Sequence, residues 1–195
     1  MTLGFDFDKV FIDYPPFIPY VFVDYLYKGS LVFRKNRTKD VVLHYRFPGP
    51  IEEKVRILSH YPIFRHGIKE NIESLKRISA KKNYKTYLVS SRFGFLRKRT
   101  TALLKRTKLE NYFDGVYFNF ENKQPHLFKE ETIKKLKIDT YIDDDVDLAL
   151  YLSKKIPTLK IYWLKDGRKK EGPLPTNITA ISTLKELEKH IGHGK

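Results

Sequence analysis

From residue 68 onward the chain alternates short apolar runs with stretches of helical periodicity, and no other feature restricts the fold as much. Ile68, Ile72, Leu75 and Ile78 fall at helical spacing within residues 68–81. A strand is expected at 84–89, a helix at 95–108, a strand at 115–120 and a helix at 127–136. A short strand at 140–142, a helix at 146–154 and a strand at 158–163 continue the pattern, and a strand at 178–181 with a helix at 184–191 completes it. Strands that alternate with helices of roughly 9 to 14 residues predict an α/β fold, a Rossmann-like three-layer parallel sheet covered on both faces.

The first 65 residues differ. Leu3 to Phe7 reads as a buried strand, and Tyr14-Pro15-Pro16 then breaks the chain. An aromatic stretch follows (Phe17, Tyr20, Phe22, Tyr25, Tyr27), then a basic patch (Arg34, Lys35, Arg37, Lys39) and an extended piece at 41–47 that carries His44 and Arg46. A helix is expected from Glu52 to His60. This stretch is too long and too apolar for one open loop. It predicts a small, mainly helical cap at 12–65, inserted after the first strand of a core formed by 1–11 and 66–195. The aromatic stretch suits either the cap's own core or a platform for a base or sugar.

Composition bounds the function. The 195 residues are 41% hydrophobic, enough for one core plus an appendage, and they contain no cysteine. Disulfide frameworks, thiol chemistry and thiolate metal sites are therefore excluded. No apolar run reaches 18 residues, so a membrane span is not expected, and the opening MTLGFDFDKVF has acids where a secretory leader needs basic then apolar residues. A soluble cytoplasmic protein, monomer or homodimer, is the expectation. The net charge of +15 suits a nucleic acid, an anionic small substrate or merely a solvated lysine-rich surface.

Acidic residues collect where the predicted strands end. The first strand runs into Asp6-Phe7-Asp8, whose two carboxylates share a side in extended geometry. The strand at 140–142 runs into Asp143-Asp144-Asp145, with Asp147 close behind, and the strand at 84–89 into Ser90-Ser91-Arg92. Sites of open α/β sheets lie beyond the carboxyl ends of strands. Carboxylates gathered there repel one another unless a cation intervenes, and Mg²⁺ prefers such oxygens. Each group also has a plainer use: Asp6 and Asp8 suit a turn, Asp145 a helix N-cap, and Ser90 the start of the next helix.

Four ordered motifs resemble the haloacid dehalogenase-like hydrolase superfamily: Phe5-Asp6-Phe7-Asp8-Lys9-Val10, Leu88-Val89-Ser90, a lysine about fourteen residues before an acidic pair (Lys129), and Tyr141-Ile142-Asp143-Asp144. Residues 61–68 resemble the segment that re-enters the core after a cap. The resemblance implies that Asp6 is a nucleophile forming an aspartyl-phosphate, and Asp8 a general acid and base. It further implies that Ser90 binds a phosphoryl oxygen and that Lys129, with Lys123 as a rival, holds Asp6. Mg²⁺ would be held by Asp6, the Asp8 carbonyl and Asp143, with Asp144 or Asp147 in support. Lys9 stands where that superfamily often has glycine, and its side chain either narrows the mouth or reaches the substrate phosphate.

The early cap is most similar to the deoxyribonucleotidase-like branch, which implies a nucleotide 5′-monophosphate or another small phosphate ester, with Ser91, Arg92, Lys9 and Arg46 as substrate contacts. The alternative is a nucleic-acid-binding or end-processing protein that uses the acid-free basic run at 92–108. A binding role leaves the aligned carboxylates unexplained, and an inactive scaffold has no need of Asp6, Asp8, Lys129 and Asp143 together.

Overall fold

Six parallel strands form the single sheet of the described residues, in the order β3-β2-β1-β4-β5-β6. They are β1 (Thr2–Phe5), β2 (Lys85–Ser90), β3 (Gly115–Phe118), β4 (Thr140–Asp143), β5 (Lys160–Leu164) and β6 (Ile178–Ile181). Helices α1 (Pro50–Ser59), α2 (Lys69–Ser79), α3 (Arg97–Thr107), α4 (Pro125–Leu136), α5 (Val146–Lys155) and α6 (Leu184–Gly192) complete it. The computed structural model describes residues 1–15, 43–165 and 173–192. The aromatic stretch at 17–27 and the basic patch at 34–39 lie outside them.

The strands are apolar on both sides because both faces are covered. Leu3, Phe5, Leu88 and Ile142 point to one face and pack with Leu75 and Ile78 of α2, Leu103 of α3 and Leu184 of α6. Val89, Tyr141, Ile161 and Trp163 point to the other and meet Ile133 of α4 and Leu148 and Leu152 of α5. Successive connections move outward from β1 through β2 to β3 with helices on the first face. They then return to β4 and move the other way with α4 and α5 on the second. Right-handed crossovers require this change of face. The winding therefore reverses between β1 and β4, the place where open α/β sheets leave a crevice beyond their strand ends.

Periodicity finds every strand and helix after residue 68, and the differences lie at the ends. Strand β1 stops at Phe5 because the chain turns: Phe11 and Ile12 both donate to the Phe7 carbonyl, at 3.0 and 3.2 Å. Lys9 adopts φ 61° within this turn, a left-handed conformation that glycine takes more readily. Strand β4 extends one residue further than expected, to Asp143. The expected extended piece is not a strand over 43–47, but it is fastened to α4: Tyr45 N–H donates to Gln124 Oε1 at 3.0 Å, and Gln124 Nε2 donates back to the Tyr45 carbonyl at 3.2 Å. The expected helix at 95–108 opens with a single 3-10 turn, Gly94–Leu96.

That turn leaves no room for a side chain. A Cβ on Gly94 would lie 2.6 Å from the Phe120 carbonyl oxygen, a backbone atom that cannot rotate away. We expect Gly94→Ala to cost about 1–3 kcal/mol. This is read as a lower urea midpoint with an unchanged slope, and a midpoint equal to wild type would contradict the close approach.

Candidate active site

Asp6 follows directly on β1 and stays in sheet register, its N–H donating to the Ile142 carbonyl at 2.9 Å. Asp143, the last residue of β4, is fully buried beside it. Lys129 reaches both from the second turn of α4: its Nζ donates to Asp143 Oδ2 at 2.7 Å and lies 3.0 Å from Asp6 Oδ1. The other Asp143 oxygen accepts the Asp145 N–H at 2.9 Å. Carboxylate oxygens of Asp6, Asp143 and Asp144 all lie within 4.8 Å of one another.

One ammonium among three carboxylates, two buried and one half-buried, leaves negative charge in excess. Burial pushes Asp6 up to about 7, with Asp143 and Asp8 adding to it and Lys129 opposing. Burial and the neighbours Asp143 and Asp6 raise Asp144 well above the ordinary carboxylate range. Burial alone would lower Lys129, but Asp143 and Asp6 outweigh it and hold the ammonium charged. Despite the nearby Nζ, Asp6 Oδ1 is buried and makes no hydrogen bond of acceptable geometry. Convergent oxygens, surplus charge and an unsatisfied carboxylate atom fit a small divalent cation such as Mg²⁺.

Asp8 faces the other way. Arg92 grips its carboxylate as a fork, Nε to Oδ2 at 2.8 Å and Nη2 to Oδ1 at 2.7 Å, and Arg65 Nη2 donates to Oδ1 as well. Both arginines are buried, at 1% exposure for Arg65 and 5% for Arg92. Thr100 Oγ1 and the Phe7 ring hold Arg92 in place, at 3.2 Å and 4.6 Å, and Arg106 Nη2 donates to the Arg65 carbonyl at 2.6 Å. Burial would raise Asp8, but Arg92 and then Arg65 hold its carboxyl well below the usual range.

Helix α1 supplies the wall next to this pair, and it is inverted. Ile51, Val55 and Leu58 face outward, whereas Arg56 and the following His60 are buried. Arg56 Nη2 donates to Glu52 Oε1 at 2.6 Å, and His60 Nδ1 lies 2.7 Å from the Arg56 carbonyl. Burial, Arg92 and Arg65 push the His60 imidazole well below its ordinary range. On the acidic side Tyr45 donates its hydroxyl to Asp145 Oδ2 at 2.9 Å. Tyr45, Arg56, His60, Arg92 and the acidic residues line one cleft of about 170 Å³, open to solvent.

Several solved structures superpose on this fold. A haloacid dehalogenase-like family hydrolase from Xanthomonas campestris superposes with a TM-score of 0.59 at 11% identity, over 98% of this chain and 94% of the other. The chain has the haloacid dehalogenase-like fold. A second hydrolase of that superfamily, from Geobacter sulfurreducens, gives 0.57 at 15% identity over 97% and 98% of the two chains. An aspartate-to-alanine variant of a related enzyme from Bacteroides thetaiotaomicron, in complex with magnesium and inorganic phosphate, gives 0.50 at 16% identity over 86% and 95%. No family model and no curated protein matches the sequence.

In this haloacid dehalogenase-like fold the cleft is lined by Asp6, Asp8, Ser90 and Lys129, and also by Ser91, Arg92, Asp143 and Asp144. Two expected substrate contacts are elsewhere. Lys9 turns its ammonium to Asp13 Oδ1 at 2.8 Å, and Arg46 pairs with Glu52 with about half its side chain, 49%, exposed. Lys123 pairs with surface Glu131 at 2.8 Å and is no rival to Lys129. The Asp8 carboxylate lies outside the acidic cluster, so as an expected metal ligand Asp8 has its main-chain carbonyl to offer. Asp145 caps α5, accepting the Asp147 N–H at 3.0 Å.

Tyr45, Arg56, His60 and Arg65 carry little sequence signal. For Tyr45 one exists: in an extended segment the alternation that exposes His44 and Arg46 turns Tyr45 inward. Of the basic run at 92–108, Arg92 is buried, whereas Arg97, Lys98, Lys105, Arg106 and Lys108 are exposed; several nonetheless make contacts within the fold. Arg92 binds Asp8, Arg97 stacks on Phe120, Arg99 on Tyr61, and Arg106 holds Arg65. No helix among the described residues is long and apolar enough to cross a membrane.

Removing Asp8 strands two buried guanidiniums. We expect Asp8→Asn to lose about 3 kcal/mol or more near neutral pH, measured by urea unfolding, and Asp8→Asn/Arg65→Met to recover part of the loss. The folded carboxyl is depressed, so its contribution is complete above the ordinary value of 3.8 and fades as the pH falls below it. Wild type and variant therefore converge in acid. Equal stability at pH 7 would show that the clamp contributes nothing.

Proposed function

We propose that the chain is a Mg²⁺-dependent phosphomonoester hydrolase acting on a small phosphate ester, with nucleotide 5′-monophosphates among the candidates. The observation that carries this reading is the joining of Asp6 and Asp143 by Lys129 at the winding reversal, in a cleft shared with Ser90 and Asp8. The magnesium and inorganic phosphate held by the Bacteroides thetaiotaomicron enzyme of the same fold support it.

In this reading an Asp6 oxygen attacks phosphorus, the ester oxygen leaves, and water then hydrolyses the aspartyl-phosphate. Ser90 donates its hydroxyl to a phosphoryl oxygen, and Lys129 orients Asp6 and offsets charge on the transferring group. Asp8 on the opposite wall serves proton transfer; its two guanidinium partners keep it ionised, the form that can accept a proton from water, and oppose its protonated, general-acid form. Asp6, Asp143 and Asp144 would hold the ion, which when bound supplies positive charge to the phosphoryl oxygens. In this reading α1 and Tyr45 act as part of a cap and limit access of water to the site.

A panel of nucleotides and sugar phosphates, assayed with and without Mg²⁺, tests the reading. Turnover should require the ion, and Asp6→Asn should lower it by at least about a thousandfold. Equal turnover by the two proteins, or turnover unaffected by chelation, would exclude the mechanism. Because the ion relieves repulsion among buried carboxylates, Mg²⁺ at about 100 times its Kd should also add about 2.7 kcal/mol of stability. Asp143→Asn should abolish that gain in a thermal melt.

A further inference from the structure

The wall around Asp8 holds more positive charge than that carboxylate can offset. Arg65 and Arg92 are both buried and both paired to this one acid. A surplus charge taken out of water is costly unless something compensates it. The depressed pKa of His60, caused in part by the same two arginines, reports a positive potential at that end of the cleft. The opposite end, with Asp6, Asp143 and Asp144 around Lys129, is negative. The cleft thus has one pole suited to a cation and another suited to an anion.

Of the two arginines, Arg92 lines the cleft. A guanidinium has five N–H donors, and three on Arg92 are engaged: Nε and one from Nη2 on Asp8, and one from Nη1 on Thr100. Among the described residues this leaves one N–H on each terminal nitrogen. Asp8, Thr100 and the Phe7 ring keep the fork oriented, so binding a further oxyanion orders no side chain. Lys129 cannot play this part, because it is engaged by Asp6 and Asp143.

We propose that Arg92 receives a second oxyanion, carried on the leaving group, so that the substrates of this cleft are phosphate esters bearing a further carboxylate or phosphate. The inference rests on the phosphohydrolase reading for the place of the first phosphate. A neutral leaving group, the nucleoside of a 5′-monophosphate included, makes no use of the positive pole, whereas a doubly anionic ester spans both. The candidate substrates thus narrow away from nucleoside monophosphates.

Two phosphonates that cannot be hydrolysed separate this from turnover: 3-phosphonopropionate, which carries a carboxylate, and propylphosphonate, which does not. Their binding to the full chain with Mg²⁺ is measured by calorimetry. Wild type should bind the carboxylate-bearing compound about tenfold more tightly, the scale of one charge-assisted hydrogen bond. Arg92→Gln should bring the ratio to within about threefold, and Arg92→Lys, which keeps the charge and loses the fork, should fall between. Equal affinity of wild type for the two compounds overturns the proposal and needs no variant. A preference that survives in Arg92→Gln overturns it too, as does an equal loss of both ligands, which would place Arg92 on the transferring phosphate. If neither phosphonate binds, the phosphate site itself is refuted and the inference falls with it. Binding with the expected preference but no turnover of any ester sinks the hydrolase reading alone.

Discussion

Two carboxylates on adjacent buried strands repel each other strongly, and Asp6 and Asp143 are placed side by side by the register of β1 against β4. The ammonium group of Lys129 makes that register tolerable, and much of the surrounding structure is arranged to deliver it. Helix α4 must lie over the sheet against β2, with its second turn above the strand ends. The same placement brings Gln124, just before α4, to the backbone of Tyr45, and Tyr45 in turn reaches Asp145. Asp145 meanwhile caps α5 and donates its N–H to Asp143. One ion pair across the winding reversal is thus tied to two helices and to the segment that roofs the cleft.

The same pair explains why Asp6 and Asp8, two residues apart, live in opposite electrical surroundings. Asp6 remains in the sheet and joins the acids, so burial and like charge drive its carboxyl upward. The chain leaves the sheet before Asp8, whose side chain enters a basic wall built from the end of β2 and the segment after α1. The short motif therefore does not describe a pair of equivalent carboxylates. It describes a junction between two fields of opposite sign.

Much of this was legible from residues alone, for a physical reason. A buried parallel strand needs an apolar run and a covering helix needs apolar residues at helical spacing, so the alternation after residue 68 revealed the layers. Asp6, Ser90 and Asp143 are readable because strand ends are local features, whereas Lys129 stands out from the other lysines only by the motif spacing of the resemblance. What could not be read was direction at a distance. Nothing near Arg65 indicates that it meets Asp8, 57 residues away, and the left-handed turn at Lys9 sends that side chain to Asp13 rather than to the cleft. Helix α1 defeated the usual rule outright, since its charged side is the buried one. Lys9 and Arg46 carry the charge that a phosphate attracts, but charge alone does not say which way a side chain points.

The central position of β1 also sets a timetable for synthesis. The first strand to leave the ribosome pairs with β2 on one side, Thr2 opposite Lys85, and with β4 on the other, Leu3 opposite Thr140. At ~5–20 residues per second, roughly 7 to 30 seconds separate the emergence of β1 from that of its second partner. During that interval β1 keeps an apolar edge unpaired, the kind of exposure that favours aggregation. Contacts so distant in sequence also make spontaneous refolding slow. The arrangement that gathers the acids into one cleft thus leaves that cleft unfinished until most of the chain has been made.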